Sequence, residues 1–254
     1  MKINKLMLIL FVAFIACNNE DHKFPMDKRF WSTDDYRDAV TELRFGYNED
    51  EELPNFNNPE TKAIVEKLTD TENFNVVLQD NELGVKHKNE VAQSFFTVWK
   101  DMTDIYDILD KKDKYTYELE YLETYKFGLE LQLSYFKLGN EEILKSVDDP
   151  DSESTKRVLD SNISTLISNY TYYLDLVNSE NAFSENGKKV YAESISEYFS
   201  KLINNHPNSD YSELKSKSVL LISKSNSAII KNSLEEINNL IDSKKIKSID
   251  KTEE

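Results

Sequence analysis

The apolar residues of this chain recur at alternating spacings of four and three over long stretches. The clearest runs are Val91, Phe95, Val98, Met102, Ile105 and Leu109; Leu159, Ile163, Leu166, Tyr170, Tyr173 and Val177; and Tyr191, Ile195, Tyr198 and Leu202. This spacing places each run on one face of an α-helix, and that face must be buried against a neighbour. The pattern therefore predicts packed helices from about residue 89 onward.

Residues that form turns are scarce. Five glycines and five prolines in 254 residues are too few for a sandwich or barrel of many short strands. Helix boundaries are marked instead, with Ser32 or Thr33 as a cap, Pro59 as a first helical residue, and a break at 206–208. We expect an all-α fold, either a helical bundle or an array of antiparallel helical hairpins, with about six to eight helices.

Two segments are ambiguous. Apolar residues in 115–138 alternate almost as in a strand, but a strand of that length would span roughly 70 Å without a turn residue between 116 and 127. The Glu, Leu, Lys and Gln content favours a helix, which Gly139-Asn140 should end or kink. Phe74–Leu78 is predicted to be a short strand or an extended crossing segment. A final pair of helices or one long helix should run from about Ser209 to Asp242.

The amino-terminal residues have the composition of a signal peptide. Lys2 and Lys5 precede an uncharged run from Leu6 to Ala16. Eleven residues make a helix of about 16 Å, too short for a hydrocarbon core of about 30 Å. A basic start followed by a short apolar run indicates a secretory signal, and a buried core helix is the alternative.

The apolar run ends in Phe14-Ile15-Ala16-Cys17, which resembles the lipobox of bacterial lipoproteins. The resemblance implies cleavage between Ala16 and Cys17, diacylglycerol on the Cys17 thiol, and a further acyl chain such as palmitate on the new amine. Two or three acyl chains anchor a protein stably, whereas one does not. Phe14 departs from the aliphatic residue usual at that position. Cys17 is the only cysteine, so the remaining chain cannot form an internal disulfide.

The acidic residues after Cys17 resemble a second signal. Asn18 is not the aspartate that retains some lipoproteins in the inner membrane, and Glu20-Asp21 is similar to the surface-export signal of Bacteroidota lipoproteins. The resemblance implies the outer membrane, with the domain facing the cell surface.

These signals and the acidic break at Asp148–Asp151 divide the chain. Its expected parts are a signal peptide (1–16), a lipidated tether (17–31), an amino-terminal helical lobe (32–147), a carboxy-terminal helical lobe (151–243) packed with it as one domain, and a charged tail (244–254).

The charge balance narrows the range of partners. The net charge is −16, and removal of residues 1–16 takes away two lysines, which makes it −18. A protein this acidic is unsuited to nucleic acid or to adsorption on anionic lipid, because both require basic patches. The expected contacts are with the membrane, through the Cys17 lipid, and with a protein or glycan in the envelope.

Recognisable catalytic motifs are absent from the sequence. The three histidines, His22, His87 and His206, do not share a helix face, and there is no di-iron, zinc, nucleophile-elbow or phosphate-loop motif. His87 with Glu90 is expected to be a solvated pair at a helix start. We therefore predict no catalytic residue, metal or cofactor.

Two acidic groups are weaker candidates. One consists of Asp149, Asp151, Glu153 and Asp160, spaced partly like an EF-hand loop but without its central glycine. The other lies on the most apolar helix and consists of Glu118, Glu120, Glu123 and Glu130. Glutamates there could have a raised pKa and hold a proton for catalysis. The competing interpretation of the first group is a solvated loop that caps the next helix. The competing interpretation of the second group is that its glutamates pair with lysines or lie on the exposed stripe of the helix.

Tyrosines are the remaining candidates for a binding site. Tyr170, Tyr172 and Tyr173 could line a groove for a glycan or peptide, or could pack in the core. The sequence as a whole favours a membrane-anchored lipoprotein that acts as a non-enzymatic binding or scaffold module of the cell envelope. The alternatives are a carboxylate-dependent enzyme acting on an envelope polymer or glycan, and an inhibitor or immunity lipoprotein that blocks a basic partner.

Overall fold

The computed structural model describes residues 26–46, 56–57, 59–78, 84–107, 116–176 and 183–250. The helices in these residues are α1 (Thr33–Gly46), α2 (Pro59–Leu68), α3 (Thr71–Leu78), α4 (Val85–Asp107), α5 (Glu118–Ser146), α6 (Glu153–Tyr173), α7 (Glu185–Ser194, continued through Ile195–Phe199 and Ser200–Asn205), α8 (Ser212–Lys224) and α9 (Ala228–Asp250). The described residues contain no strand, and the all-α prediction is confirmed. The predicted signal peptide (1–16), its cleavage site at Ala16 and the lipidated Cys17 lie outside the described residues.

The predicted cap at Ser32 explains where helix α1 begins. The Ser32 hydroxyl accepts the Asp35 backbone N–H at 3.2 Å, and the Asp35 carboxylate accepts the Ser32 backbone N–H at 2.8 Å. This reciprocal capping box satisfies two donors that a helix end otherwise leaves unpaired. The same carboxylate pairs with Lys28, and this lysine is the main reason that the pKa of Asp35 lies below its ordinary value.

The extended segment predicted at Phe74–Leu78 was wrong, because these residues belong to helix α3. Asp70 supplies the reason, since its carboxylate accepts the Glu72 backbone N–H at 2.9 Å and caps the helix. The β-branched residues that favoured a strand have only a weak intrinsic preference, which a cap and a neighbouring helix override.

Helix α5 confirms the helical interpretation of 115–138, but the expected end at Gly139-Asn140 was wrong. The helix continues to Ser146, and the Val147 backbone N–H still bonds to the Ile143 carbonyl. Glycine inside a helix costs only about 1 kcal/mol relative to alanine, and no described glycine has a positive φ. The favourable helix formers after Asn140 outweigh that cost.

Two apolar cores share helix α5. The amino-terminal core holds buried residues of α1, α2 and α4, and the carboxy-terminal core holds buried residues of α6, α7, α8 and α9. On α5, Phe127 and Leu131 pack into the first core, whereas Leu122 and Leu129 pack into the second. An α-helix that is apolar on most sides has to be covered on most sides, and α5 meets this requirement by lying between the cores.

The ends of the domain differ in detail from the expected segments. Trp31, placed in the tether by its sequence position, is 1 % exposed in the amino-terminal core. The final helical segment is a pair, α8 and α9, separated at 225–227, and α9 continues past the predicted end at residue 243 to Asp250. The division into lobes at 148–150 stays a prediction.

Candidate functional site

An open groove of about 390 Å³ lies where α4, α5 and α6 meet. Five aromatic side chains line it, and they are Phe96, Trp99, Tyr125, Tyr172 and Tyr173. We call this cavity the aromatic groove. Aromatic faces bind apolar surfaces of ligands through stacking and area burial, so the groove is suited to hold a ligand with a flat apolar face.

The position of Trp99 depends on a glycine of the neighbouring helix. A Cβ atom built on Gly128 would lie 2.3 Å from Trp99 Cε2, which is far inside van der Waals contact. The indole N–H of Trp99 donates to the Thr124 carbonyl at 2.9 Å. The ring therefore rests directly on the α5 backbone, with one edge held by a hydrogen bond.

The aromatic rings contact one another around this tryptophan. Phe96 lies with its ring centroid 5.3 Å from that of Trp99, and Tyr125 packs edge-on against Trp99 at 6.1 Å. At the back of the groove Tyr173 stacks on Tyr191 at 5.3 Å, and burial raises the pKa of the Tyr173 hydroxyl. These four rings are thus packed against other rings, whereas Tyr172 is 63 % exposed at the rim.

Polar side chains are placed between the rings. Lys100, Asp104, Gln132 and Asn169 line the aromatic groove. The Gln132 side chain is 6 % exposed, its Nε2 donates to the Gly128 carbonyl at 3.1 Å, and its Oε1 has no hydrogen-bond partner. A buried carbonyl oxygen without a donor is costly, and a ligand hydroxyl or amide could supply the donor.

The three tyrosines considered from the sequence divide between site and core. Tyr172 and Tyr173 line the aromatic groove. Tyr170 is fully buried in the carboxy-terminal core, and its hydroxyl donates to the Leu129 carbonyl at 2.7 Å. The core interpretation therefore applies to Tyr170 and also to Tyr173, which is 2 % exposed in the same core. Binding of a glycan or peptide by these tyrosines stays a prediction.

The buried glutamates of α5 serve the fold. Glu118 accepts the Ser184 backbone N–H at 2.7 Å and also the Ser184 hydroxyl, which in turn caps α7 through the Gly187 N–H. Glu120 accepts the Phe56 backbone N–H, and burial raises its pKa. The raised pKa considered from the sequence thus applies to Glu120, but this carboxyl holds a backbone segment and does not line the aromatic groove.

The other two glutamates form ion pairs on the surface. Glu130 lies 3.2 Å from the Lys201 ammonium, which also contacts Glu197 at 2.9 Å. Glu123 lies 3.7 Å from Lys126. These pairs match the interpretation of the glutamates as partners of lysines.

The acidic loop before α6 caps that helix. Ser152 accepts the Thr155 backbone N–H at 3.2 Å, and Asp149 accepts the Asp151 backbone N–H at 3.1 Å. Within the described ranges, no three histidine, cysteine or acidic side chains converge in a way that could hold a metal ion.

The histidines lie away from the aromatic groove. His87 is exposed and lies 3.6 Å from Glu90 at the start of α4. His206 follows α7, and burial lowers its pKa. His22 lies outside the described residues.

Sequence reasoning missed the α4 wall of the aromatic groove, above all Phe96 and Trp99. A signal for it exists, because Asn89, Phe96 and Thr103 recur every seven residues, beside the buried seam that runs through Phe95 and Met102. Residues at that spacing share a helix face. The spacing alone does not indicate whether that second face is covered or borders a cavity.

No protein-family model, no curated protein and no solved structure matches this chain. In the part of the chain that the structure describes, no helix has the length and apolarity needed to cross a bilayer.

Proposed function

We propose that this chain is a lipoprotein of the outer membrane, anchored by lipid on Cys17, whose helical domain is a non-enzymatic binding module of the cell envelope. The aromatic groove is its ligand site. The lipobox resemblance and the signal-peptide composition of residues 1–16 support the anchor, and the acidic residues Glu20-Asp21 support the outer face.

The observation that carries the binding function is the open groove with five aromatic walls. A carboxylate-dependent enzyme would require two carboxylates that converge in a deep pocket. Among the described residues that line the aromatic groove, Asp104 is the one carboxylate, and Glu118 and Glu120 hold backbone segments elsewhere. This arrangement favours capture of a ligand over its hydrolysis.

The binding function is tested by capture from the protein's own membranes. The intact lipidated protein and a Tyr172→Ala variant are compared after crosslinking and affinity purification. Tyr172 is the most exposed ring of the aromatic groove, so its removal should weaken capture with little effect on the fold. The matched control is Leu220→Ala, which removes a half-exposed apolar side chain on α8. Equal recovery of partners by both variants would contradict the proposed site.

The anchor is tested separately. Cys17→Ser removes the thiol that would carry diacylglycerol, so precursor should accumulate unprocessed and metabolic labelling with palmitate should disappear. Processing of Cys17→Ser at the wild-type rate would refute the lipoprotein assignment.

A further inference from the structure

A second cavity, of about 410 Å³, lies farther along the same three helices. Its lining includes Asn89 of α4, Asn162 of α6, and Tyr135, Gly139 and Glu142 of α5. We call this cavity the amide well. Asn89 donates from Nδ2 to the Glu142 carboxylate at 2.5 Å, and Asn162 donates to the Asn140 side chain at 2.8 Å.

The aromatic groove and the amide well follow one another along the same face of helix α5. The α5 residues that line the two cavities follow a single four-three spacing, and they include Tyr125, Leu129, Gln132, Phe136, Gly139 and Ile143. Such residues lie on one face of a helix, and eighteen residues correspond to about 27 Å. Phe96 of the aromatic groove stacks on Tyr135 of the amide well, with ring centroids 5.4 Å apart and ring planes 23° apart. This pair of rings separates the two cavities, and we call the two cavities along this face of α5 the trough.

Each part of the trough contains one amide oxygen without a donor, Gln132 Oε1 in the aromatic groove and Asn89 Oδ1 in the amide well. The orientation of both amides is settled by their partners. Gln132 faces a backbone carbonyl and Asn89 faces a carboxylate, and because both partners only accept, the NH₂ groups must point toward them. The two unsatisfied amide groups are therefore acceptors, and a ligand must bring donors to them. The buried Tyr173 hydroxyl, which lines the aromatic groove and also has no hydrogen-bond partner, can donate or accept.

The charge of the trough disfavours an anionic ligand. Asp104 lines the aromatic groove and Glu142 lines the amide well, against one lysine, Lys100. The chain as a whole carries −16, which repels anions over distances of about a Debye length.

We infer that the trough binds an extended, uncharged glycan chain. Sugar rings offer an apolar C–H face for stacking and hydroxyl donors around the rim, and a polymer of such rings repeats both features along the length of the trough. An extended peptide offers N–H and C=O groups in equal number, and the unsatisfied amide groups of the trough are both acceptors. The inference rests on the proposed binding function and adds the class and the length of the ligand.

The probes are neutral hexasaccharides from α-glucan, β-glucan, xylan and mannan, each with its disaccharide. Binding to the full-length protein in detergent is measured by calorimetry and by tryptophan fluorescence. Trp99 lines the aromatic groove whereas Trp31 is 1 % exposed, so a change in emission reports the groove. At least one hexasaccharide should bind about tenfold or more tightly than its disaccharide, because a second set of contacts forms in the amide well.

A Gly139→Leu variant tests whether the ligand spans both cavities. A Cβ on Gly139 would contact nothing within 4 Å, and Gly139 lines the amide well, so a leucine there should occupy part of that cavity. The variant should reduce the ratio of hexasaccharide to disaccharide affinity to near one. Leu220→Ala on α8 lines neither cavity and should leave that ratio at its wild-type value.

The outcomes separate this inference from the proposed function. Equal affinity for hexasaccharide and disaccharide, or no effect of Gly139→Leu on their ratio, overturns the spanning trough but leaves the aromatic groove as a ligand site. Binding of an extended peptide with no binding of any saccharide overturns the assignment to glycans. Loss of membrane capture by Tyr172→Ala without any binding of the panel also overturns it, while the proposed binding function stands.

Discussion

The same substitution, glycine to alanine, should have opposite effects at two positions of helix α5. At Gly139 the new Cβ meets open space, whereas at Gly128 it would lie 2.3 to 2.6 Å from three atoms of the Trp99 indole. Both positions are helical, so both variants gain the helix propensity of alanine, about 1 kcal/mol. Packing alone distinguishes them.

The expected magnitudes follow from these contacts. Gly139→Ala should stabilise the protein by about 0.5–1 kcal/mol. At Gly128 the overpacking costs about 1–3 kcal/mol, and displacement of the indole also breaks its hydrogen bond to Thr124, worth about 1 kcal/mol. After the gain in propensity, Gly128→Ala should destabilise the protein by about 1–3 kcal/mol.

Thermal and urea unfolding followed by circular dichroism measures both effects. For a domain of this size 1 kcal/mol shifts the melting temperature by about 2–4 °C, so the two variants should melt several degrees to either side of wild type. In a Trp99→Leu background the cost of Gly128→Ala should disappear, which a double-mutant cycle isolates. Equal stability of Gly128→Ala and Gly139→Ala would refute the close approach of Trp99 to the α5 backbone.

Three further effects should be measurable by the same unfolding assays. Burial raises the pKa of Glu120, so between the ordinary and the raised pKa the folded state binds more protons than the unfolded state and stability falls as pH rises. Glu120→Gln keeps an acceptor for the Phe56 N–H, so it should flatten this slope and be more stable than wild type at neutral pH. An unchanged slope would show that other groups cause the pH dependence. Ser152→Ala removes the cap of α6 and should lower the free energy of unfolding by about 1 kcal/mol. The control Ser161→Ala changes an exposed residue in the middle of the same helix and should be neutral or slightly stabilising. A neutral Ser152→Ala would show that the cap is dispensable. Ser184→Ala removes both the cap of α7 and the hydroxyl that Glu118 accepts, so it should cost more than Ser152→Ala, and a smaller cost would count against the Glu118 contact.

The sequence predicted the helices whose apolar faces are buried on a single side. Tyr191, Ile195, Tyr198 and Leu202 are all 5 % exposed or less, as their spacing indicated. They keep this arrangement although the helix adopts π geometry over Ile195–Phe199. A helix with a single apolar face can be predicted from the sequence alone, because the spacing of its apolar residues does not depend on which element covers that face.

Contacts and cavities formed between two helices could not be predicted from the sequence. The contact between Trp99 and Gly128 joins residues on different helices, and neither residue has a local signal for it. Gly139-Asn140 was expected to end or kink helix α5, because the residue type alone does not distinguish a glycine that ends a helix from one that borders a cavity. Phe74 lies in a helix because Asp70 caps it, and this effect of one side chain outweighs the composition of the segment.

The position of α5 between two cores has a consequence for folding during synthesis. Residues of α4, which cover one side of α5, leave the ribosome before it, whereas α6 and α7, which cover the other side, leave afterwards. Until they arrive, Leu122 and Leu129 are exposed on the growing chain. Exposed apolar surface of this kind is prone to aggregate, so folding of this chain should depend on a chaperone that binds it until α7 has been synthesised.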